Sequence, residues 1–511
     1  MIKTVSLLYL LGLLVLVAVR LVDVSVIKHQ YYQALSEENR LKRIIITAPR
    51  GRILGKSGEE IVGNIDLPTK VVFDQTSGFV KMCDTSDTPQ FSETKRQYIY
   101  GSDFAHLTGY LGLPTEVEGE GAICGRGDLG DVLIGRGGLE EAQNCNLLGT
   151  PGEVIFEVDT MGSAVRILGV KKPKPGRDVV TNLDVGLQKK VAGLMIGLKG
   201  AVVVSDPKGR VLALYSAPAF DPAVITPSLT DPSQPLFNRA ISGRFHPGSA
   251  YKLLTAMAGL SNGVIDENTL YNDQGFISIK SGYGQFTYNN WYFTQYGGVE
   301  GEINVVKALA RSTDTFFYDL GERVGIDELD KWAKKLGLDT PSGIDLPGEV
   351  GGLVPNPLWK EKTKGEKWFL GNTYHVAIGQ GDVELSPLTV NNLTRIVANG
   401  GLRCSPKVVG IGKCEDLDIQ SSVLETVKKG MVGVCSTGGT GYTFFDFKHS
   451  VACKTGTAET WEKDVTHAWF TFFTPIDNPQ IVVTVLVEGG GEGSKTAGPI
   501  ARAIADYWYE K

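Results

Sequence analysis

Three short stretches of this chain carry residue types and spacings suited to acyl transfer. FHPGSAYKLLTA, residues 245–256, sets Ser249 and Lys252 one helical turn apart behind a Pro-Gly step. A hydroxyl at a helix N-terminus meets backbone N–H groups and the positive end of the macrodipole, and both stabilise developing negative charge. A lysine held against an apolar wall loses its proton more readily and can serve that hydroxyl as general base. The pattern alone is not decisive: it recurs at Ser25–Lys28 and Ser205–Lys208, and Ser249 with Lys252 also reads as a helix cap beside a solvated lysine. The Ser205 pair falls in a turn between two apolar runs, and the Ser25 pair has neither a glycine-rich approach nor an apolar helix behind it, so both are read as structural.

Two downstream groups qualify as partners. Ser312-Thr313-Asp314 sits in KALARSTDTFFYDLG, where its plain alternative is a mid-helix serine bonded back to its own turn. Lys454-Thr455-Gly456-Thr457 occurs in HSVACKTGTA, and KTG occurs once in the chain. Its plain alternative is a lysine-led strand turn. On an edge strand, Gly456 would admit a substrate backbone, which the strand would hold by β-augmentation.

The elements that must position these residues can be read coarsely. NLDVGLQKKVAGLMIGLKG has helical periodicity with Asp184 as a cap, and GAVVVSDPKGRVLALYSAP reads as two strands around a Pro-Lys-Gly turn. From residue 250 to about 400 the pattern is helical, with glycine- and aromatic-rich loops at 271–300. HSVACKTGTA, HAWFTFFTP and QIVVTVLVEG are strand-like, and PIARAIADYWYEK closes the chain as an amphipathic helix. Two early and three late strands imply one sheet assembled from both ends of an α+β domain.

Before it, residues 29–43 read as a short polar helix leading to strands at IIIT, RILG and EEIVGN, the last two joined at Ser57-Gly58. Residues 81–95 read as polar and irregular, and EVIFEVDTMGSAVRILGV as a hairpin turning at Met161-Gly162-Ser163. KKPKPGRD reads as a linker.

In order and separation, SxxK, then Ser-x-(Asn/Asp), then KTG resemble the three motifs of penicillin-recognising serine acyltransferases. Within that family the chain resembles the class B penicillin-binding proteins, monofunctional peptidoglycan transpeptidases. RGRILGKSGEEIVGN, RQYIYGSDFAHLTGYLG and GRGGLEEAQNCNLLGTPGE resemble segments of their non-catalytic domain. NRAISGRFHPGSAYK, GIDELDKWAKKLGL, HVAIGQGDVELSPLTVNNLTRIVANGG and GEGSKTAGPIARAI match their catalytic domain in order.

The resemblance implies a membrane anchor over 1–28, a β-rich pedestal of dimerisation type over 29–176, and a transpeptidase domain over 177–511. That last domain is expected to hold a five-stranded antiparallel sheet flanked by helices. It further implies that Ser249 attacks the carbonyl before the terminal D-Ala of a stem peptide, with Lys252 taking its proton. Backbone N–H groups of Ser249 and Thr457 would form the oxyanion hole. Ser312 would relay a proton to the leaving amine, and Lys454, Thr455, Gly456 and Thr457 would hold the substrate. β-Lactams would trap Ser249, and no cofactor or metal is implied. A lipid-linked glycan polymerase and other wall-synthesis proteins are the implied partners. The same chemistry with water as acceptor, a carboxypeptidase or β-lactamase, is an alternative, as is a non-catalytic wall-synthesis scaffold.

Asp314 departs from the family's usual Asn. An ionised carboxylate only accepts hydrogen bonds, and beside Lys252 its charge would oppose formation of the free amine. Either the pair shares a proton or another lysine carries more of the base role. Gly55 is a second departure, replacing an Asp within the non-catalytic segment.

The N-terminus bears on location. Val5–Val19 is an uncharged apolar run ending at Arg20, and no small-residue cleavage site follows it. An uncleaved, single-pass anchor in a bacterial plasma membrane is expected, with the catalytic domain on the extracytoplasmic side; a buried helix is the alternative. The net charge of −6 over 511 residues, without a basic block, argues against nucleic acid. Seven cysteines form no CxxC and no metal-ligand spacing, and a pair such as Cys404 with Cys414 is one of several open disulfide choices.

Overall fold

The computed structural model describes residues 2–74, 78–83, 91–115, 124, 132–159, 161–281 and 284–511. Helix α1 (Ile2–Val22) continues through a π-turn at Asp23–Ile27. Over Val5–Ile27 its mean hydropathy is 2.6, none of it is buried, and its 23 residues are enough to cross a hydrocarbon core. The Ser25 hydroxyl bonds back to the Leu21 carbonyl, which disposes of that SxxK copy. Helix α2 (His29–Arg40) then leads into β1 (Leu41–Ile46), as the polar 29–43 stretch predicts.

The pedestal follows. Strands β2 (Ile53–Leu54) and β3 (Glu60–Asp74) turn at Gly58, where φ is +90°, and β3 also pairs with β4 (Gly78–Cys83) and β5 (Phe91–Tyr98). Much of the stretch expected to be irregular at 81–95 is therefore strand, while its residues 84–90 lie outside the described residues. Strands β6 (Gly152–Val158) and β7 (Ala164–Lys171) form the expected hairpin, and β1 completes a three-stranded sheet with β6. Three of the segments quoted above meet at one buried carboxylate. Glu140 accepts from Arg50 Nε at 2.9 Å and Arg96 Nε at 2.6 Å, and all three side chains are buried. Breaking such a network by removing one partner costs about 3–5 kcal/mol, because the remaining charge is stranded. The short strand β8 (Val179–Val180) pairs in parallel with β2, so the chain adds an edge strand to that sheet as it leaves it.

Helix α3 (Val185–Leu194) is capped by Asp184, whose Oδ1 accepts from Leu187 N at 2.9 Å. Strands β9 (Gly200–Ser205) and β10 (Val211–Ala217) follow, every residue of both buried. Ser205 ends β9 and bonds the buried Asn391, so the second decoy is structural as well. The helices that frame the site come next: α4 (Lys252–Ser261), α5 (Trp291–Tyr296), α6 (Val305–Arg311), α7 (Asp314–Val324), α8 (Leu370–Ala377), α9 (Pro387–Ala398) and α10 (Ser421–Val434). The 271–300 region, expected as loops, contains a hairpin of Phe276–Ser281 with Gly284–Asn289. The second of its strands is exposed at every position but Tyr288, and Phe276 and Phe286 are exposed too, so no buried face marks the hairpin in the sequence.

Strands β11 (Ala452–Glu459), β12 (Thr466–Thr474) and β13 (Ile481–Val487) join β9 and β10 in an antiparallel sheet of order β10-β9-β13-β12-β11. This is the sheet that the early and late apolar runs predict. IVVTVLV is buried along its whole length because helices cover both faces. The closing helix α11 (Ala497–Glu510) packs with α3 on one face, through Ile500, Ile504, Leu187 and Val191. On the other, Trp469, Val482 and Leu486 join a core built from α4, α7, α8 and α9. Strand β11 lies at the sheet's edge.

Candidate active site

Ser249 lies in a 3₁₀ turn, Gly248–Tyr251, immediately before α4, one turn earlier than a regular helix start. No side-chain capping bond is made there, and among the described residues Ser249 Oγ has no hydrogen-bond partner, so the helix-cap reading fails. Gly248 makes the turn possible. Its φ is +51°, and a Cβ would stand 2.8 Å from the Thr457 carbonyl, so only glycine lets the nucleophile turn seat against β11. Gly456 does the same from the strand: a Cβ there would meet Pro247 O and Trp469 Cβ, each at 3.0 Å. The room it leaves is filled by the chain itself, whereas the sequence suggested room for a substrate.

Lys252 opens α4 and is fully buried. Its Nζ donates to Asp314 Oδ1 at 2.6 Å, Ser312 O at 2.8 Å and Ser312 Oγ at 3.3 Å, which occupies all three ammonium protons. Lys454, also fully buried, donates to Ser312 Oγ at 3.0 Å and Thr455 O at 2.8 Å. Ser312 Oγ therefore stands between two amines. It is not a mid-helix residue: it ends α6 in the left-handed region, φ 56° and ψ 38°, a conformation that costs a non-glycine residue about 1–2 kcal/mol. Strain of this kind persists where the surroundings over-determine it.

Asp314 begins α7, where the helix N-terminus favours a carboxylate. Its Oδ2 accepts from Trp291 N at 3.0 Å, and its backbone N donates to the buried Asn290 Oδ1 at 3.1 Å. Asn290 in turn donates to Asp273 Oδ2 at 3.3 Å. Sequence reasoning missed this bracing of Asp314. An Asn ahead of a short aromatic helix, NNWYFTQY, was its local signal.

The electrostatics follow from burial. Desolvation pushes Lys252 below the ordinary lysine range, against the pull of the Asp314 carboxylate. Lys454 is held well below that range, by burial first and then by the charge of Lys252, again with Asp314 opposing. Two ammoniums and one carboxylate would leave a net buried charge. A single proton shared by the two amines beside the Asp314 carboxylate would balance the site, with the Ser312 hydroxyl able to donate to one amine while accepting from the other.

The three sequence-derived groups thus converge, and they line one cleft of about 970 Å³. Thr455 Oγ1 pairs with Thr440 Oγ1 at 2.7 Å, and Thr457 Oγ1 accepts from Gly493 N at 3.2 Å. Trp291, Tyr296, Tyr442 and Trp461 form an aromatic rim, Trp461 being 91% exposed. Among the described residues there are three disulfides, Cys124–Cys145, Cys404–Cys414 and Cys435–Cys453. The second is the pair that the sequence put forward. The third ties the end of α10 to the residue before Lys454.

Known proteins share this architecture. The profile of the penicillin binding protein transpeptidase domain matches residues 200–506, and that of the penicillin-binding protein dimerisation domain matches residues 90–181. Peptidoglycan D,D-transpeptidase MrdA of Acinetobacter baumannii is 33% identical over 454 residues, covering 82% of this chain and 66% of that protein. MrdA of Escherichia coli K12 is 29% identical, covering 97% of this chain and 92% of that protein. Penicillin-binding protein PBP2 of Helicobacter pylori, solved in complex with MreC, superposes with a TM-score of 0.79 at 25% identity, over 92% of this chain and 99% of that one. The transpeptidase profile alone spans more than half of the chain, and the chain therefore belongs to the penicillin-binding protein transpeptidase family.

Proposed function

We propose that this protein is a membrane-anchored peptidoglycan D,D-transpeptidase that works through a Ser249 acyl-enzyme. The observation that carries the reading is the meeting of Ser249 and Ser312 in one cleft, with Ser312 Oγ between the buried, pKa-depressed amines of Lys252 and Lys454 behind it. A site that holds one proton between two amines can take another from Ser249 and return it to a leaving amine. Lys252 accepts the Ser249 proton once its own has passed through Ser312 to Lys454. The carbonyl carbon bonds to Oγ, the terminal D-Ala nitrogen leaves with the proton, and N–H groups of Ser249 and Thr457 receive the oxyanion. Thr455 and Thr457 hold the donor peptide along β11, and an amine from a neighbouring strand resolves the ester as a cross-link. Penicillin enters the same cleft and stops at the acyl stage.

The chain divides into an anchor (1–28), a non-catalytic pedestal (29–176) and the transpeptidase domain (177–511). The exposed apolar helix at Val5–Ile27 supports a single pass in the plasma membrane. The disulfides support an extracytoplasmic site, because such bonds persist in oxidising compartments. The pedestal and anchor suit contact with a lipid-linked glycan polymerase and other wall-synthesis proteins, as the complex of the Helicobacter relative with MreC illustrates. Mass spectrometry of the full-length protein after penicillin treatment tests the central claim: one adduct, on Ser249, is expected, and an adduct elsewhere or none refutes it.

A further inference from the structure

His246 stands three residues before Ser249 and lines the same cleft. Its Nδ1 lies 2.8 Å from the Val383 carbonyl oxygen. A carbonyl can only accept, so Nδ1 carries the ring proton and, in the neutral ring, Nε2 is left as an acceptor. Among the described residues Nε2 has no hydrogen-bond partner. The backbone beneath the ring is fixed as well: the His246 carbonyl accepts from Trp469 Nε1 at 2.9 Å, and the next carbonyl, of Pro247, fits the space left by Gly456. A histidine with a set tautomer and an unoccupied acceptor, three residues from a nucleophile and in the same cleft, is equipped to act as a general base.

Ser249 already has a base in the lysine network, so the vacancy lies in the second half of the reaction. An amine that attacks the ester must lose a proton as it does so. Lys252 and Lys454 are fully buried, do not line the cleft, and spend their amines on Ser312, Asp314 and Thr455. His246 is only partly buried. The charged and titratable groups that share its cleft include Arg311, Asp314, Glu459 on β11, Glu492 and His375, and its charge acts on His467 of β12.

We propose that His246 Nε2 is the proton acceptor for the amine that resolves the acyl-enzyme, a role that rests on the transpeptidase reading above. The amine nitrogen bonds to the ester carbonyl carbon and passes one proton to Nε2. The C–Oγ bond then breaks, and Oγ takes a proton from the Lys252–Ser312–Lys454 network. Exchange with solvent returns the imidazolium and the network to their starting states. Ester and amine have become amide and serine hydroxyl.

The test separates the two halves in the full-length protein. Acylation is followed with penicillin, and transfer with a peptide ending in D-Ala-D-Ala as donor and a D-amino acid as acceptor. His246→Gln keeps a donor for the Val383 carbonyl but cannot take a proton. Transfer is expected to fall about 100-fold, within the range for loss of a general base, while penicillin acylation changes less than about threefold. Added imidazole is expected to restore part of the transfer rate in His246→Gly. Unchanged transfer in His246→Gln, parallel loss of both halves, or a His246→Gly protein indifferent to imidazole would overturn the assignment. A wild-type protein without a Ser249 adduct would count against the transpeptidase reading instead.

Discussion

Replacing Asp314 by Asn isolates the electrostatic question at the heart of the site. The two side chains match in size, and an Asn oxygen can still accept from Trp291 N. Its amide nitrogen then faces Lys252, where the carboxylate oxygen now lies 2.6 Å from Nζ. An amide N–H can donate to a free amine but not to an ammonium, so the variant selects the neutral lysine. The Coulomb term acts in the same direction. Opposite charges about 4 Å apart attract by about 4 kcal/mol at an effective dielectric of 20. At about 1.4 kcal/mol per tenfold, that is close to a thousandfold in proton affinity, divided between the two coupled amines. Asp314 raises the proton affinity of both lysines. Its removal therefore extends the free-amine form to lower pH. The assay is the rate of penicillin acylation as a function of pH, read by mass. Asp314→Asn is expected to acylate Ser249 within about tenfold of wild type on the alkaline plateau, with the acid limb moved to lower pH. A folded variant that does not acylate, or whose acid limb moves to higher pH, would refute the shared-proton account.

Two stability predictions follow from features outside the reacting atoms. Cys435 and Cys453 are 18 residues apart, and closing a loop of that length is worth about 3 kcal/mol by chain entropy, so the Cys435→Ala/Cys453→Ala protein should melt lower by several degrees. Because the bond ends beside Lys454, penicillin acylation should slow as well, and a variant equal to wild type in both measurements would show that the tie is dispensable. His106, buried edge-on against Phe220, is pushed down to about 4 by burial, against about 6.5 unfolded. The folded state prefers the neutral ring, so this stabilisation is complete above about pH 6.5 and is lost as pH falls toward about 4, about 3 kcal/mol in all. His106→Phe should flatten the fall in Tm between about pH 7 and about pH 5, and an unchanged slope would assign the acid sensitivity to other groups.

Much of this was legible in the amino-acid order, for identifiable reasons. The catalytic sheet could be assembled from its ends because strands covered on both faces, such as Val211–Ala217 and Ile481–Val487, are apolar at nearly every position. The β6–β7 hairpin announced itself through alternation and Gly162, with φ of +82°. The hairpin at 276–289 did not, because its second strand is exposed at every position but Tyr288 and so has no apolar alternation to read. At the site, residue type and order located Ser249, Lys252, Ser312, Asp314 and Lys454. Their hydrogen-bond partners were not visible, since these depend on where α6 ends and α7 begins. Ser312 becomes the link between two lysines only because it leaves α6 in the left-handed region. Asp314 keeps a fixed direction because Lys252 holds one carboxylate oxygen and Trp291, 23 residues earlier, donates to the other. Local propensity carries no record of either fact.

The position of β11 at the rim of its sheet has a consequence for what can be admitted. An uncovered strand edge is a general invitation to other strands, including those of misfolded neighbours. Here the invitation is narrowed from both sides: Thr440 closes on Thr455, and the nucleophile turn closes on Thr457 through Gly248. What remains is a slot rather than a ledge. A lone extended peptide, one strand thick, can slide in and complete the sheet, whereas the edge of another folded protein carries neighbouring strands that would collide with the walls. Thickness is then the first property on which such a slot discriminates, ahead of any side chain.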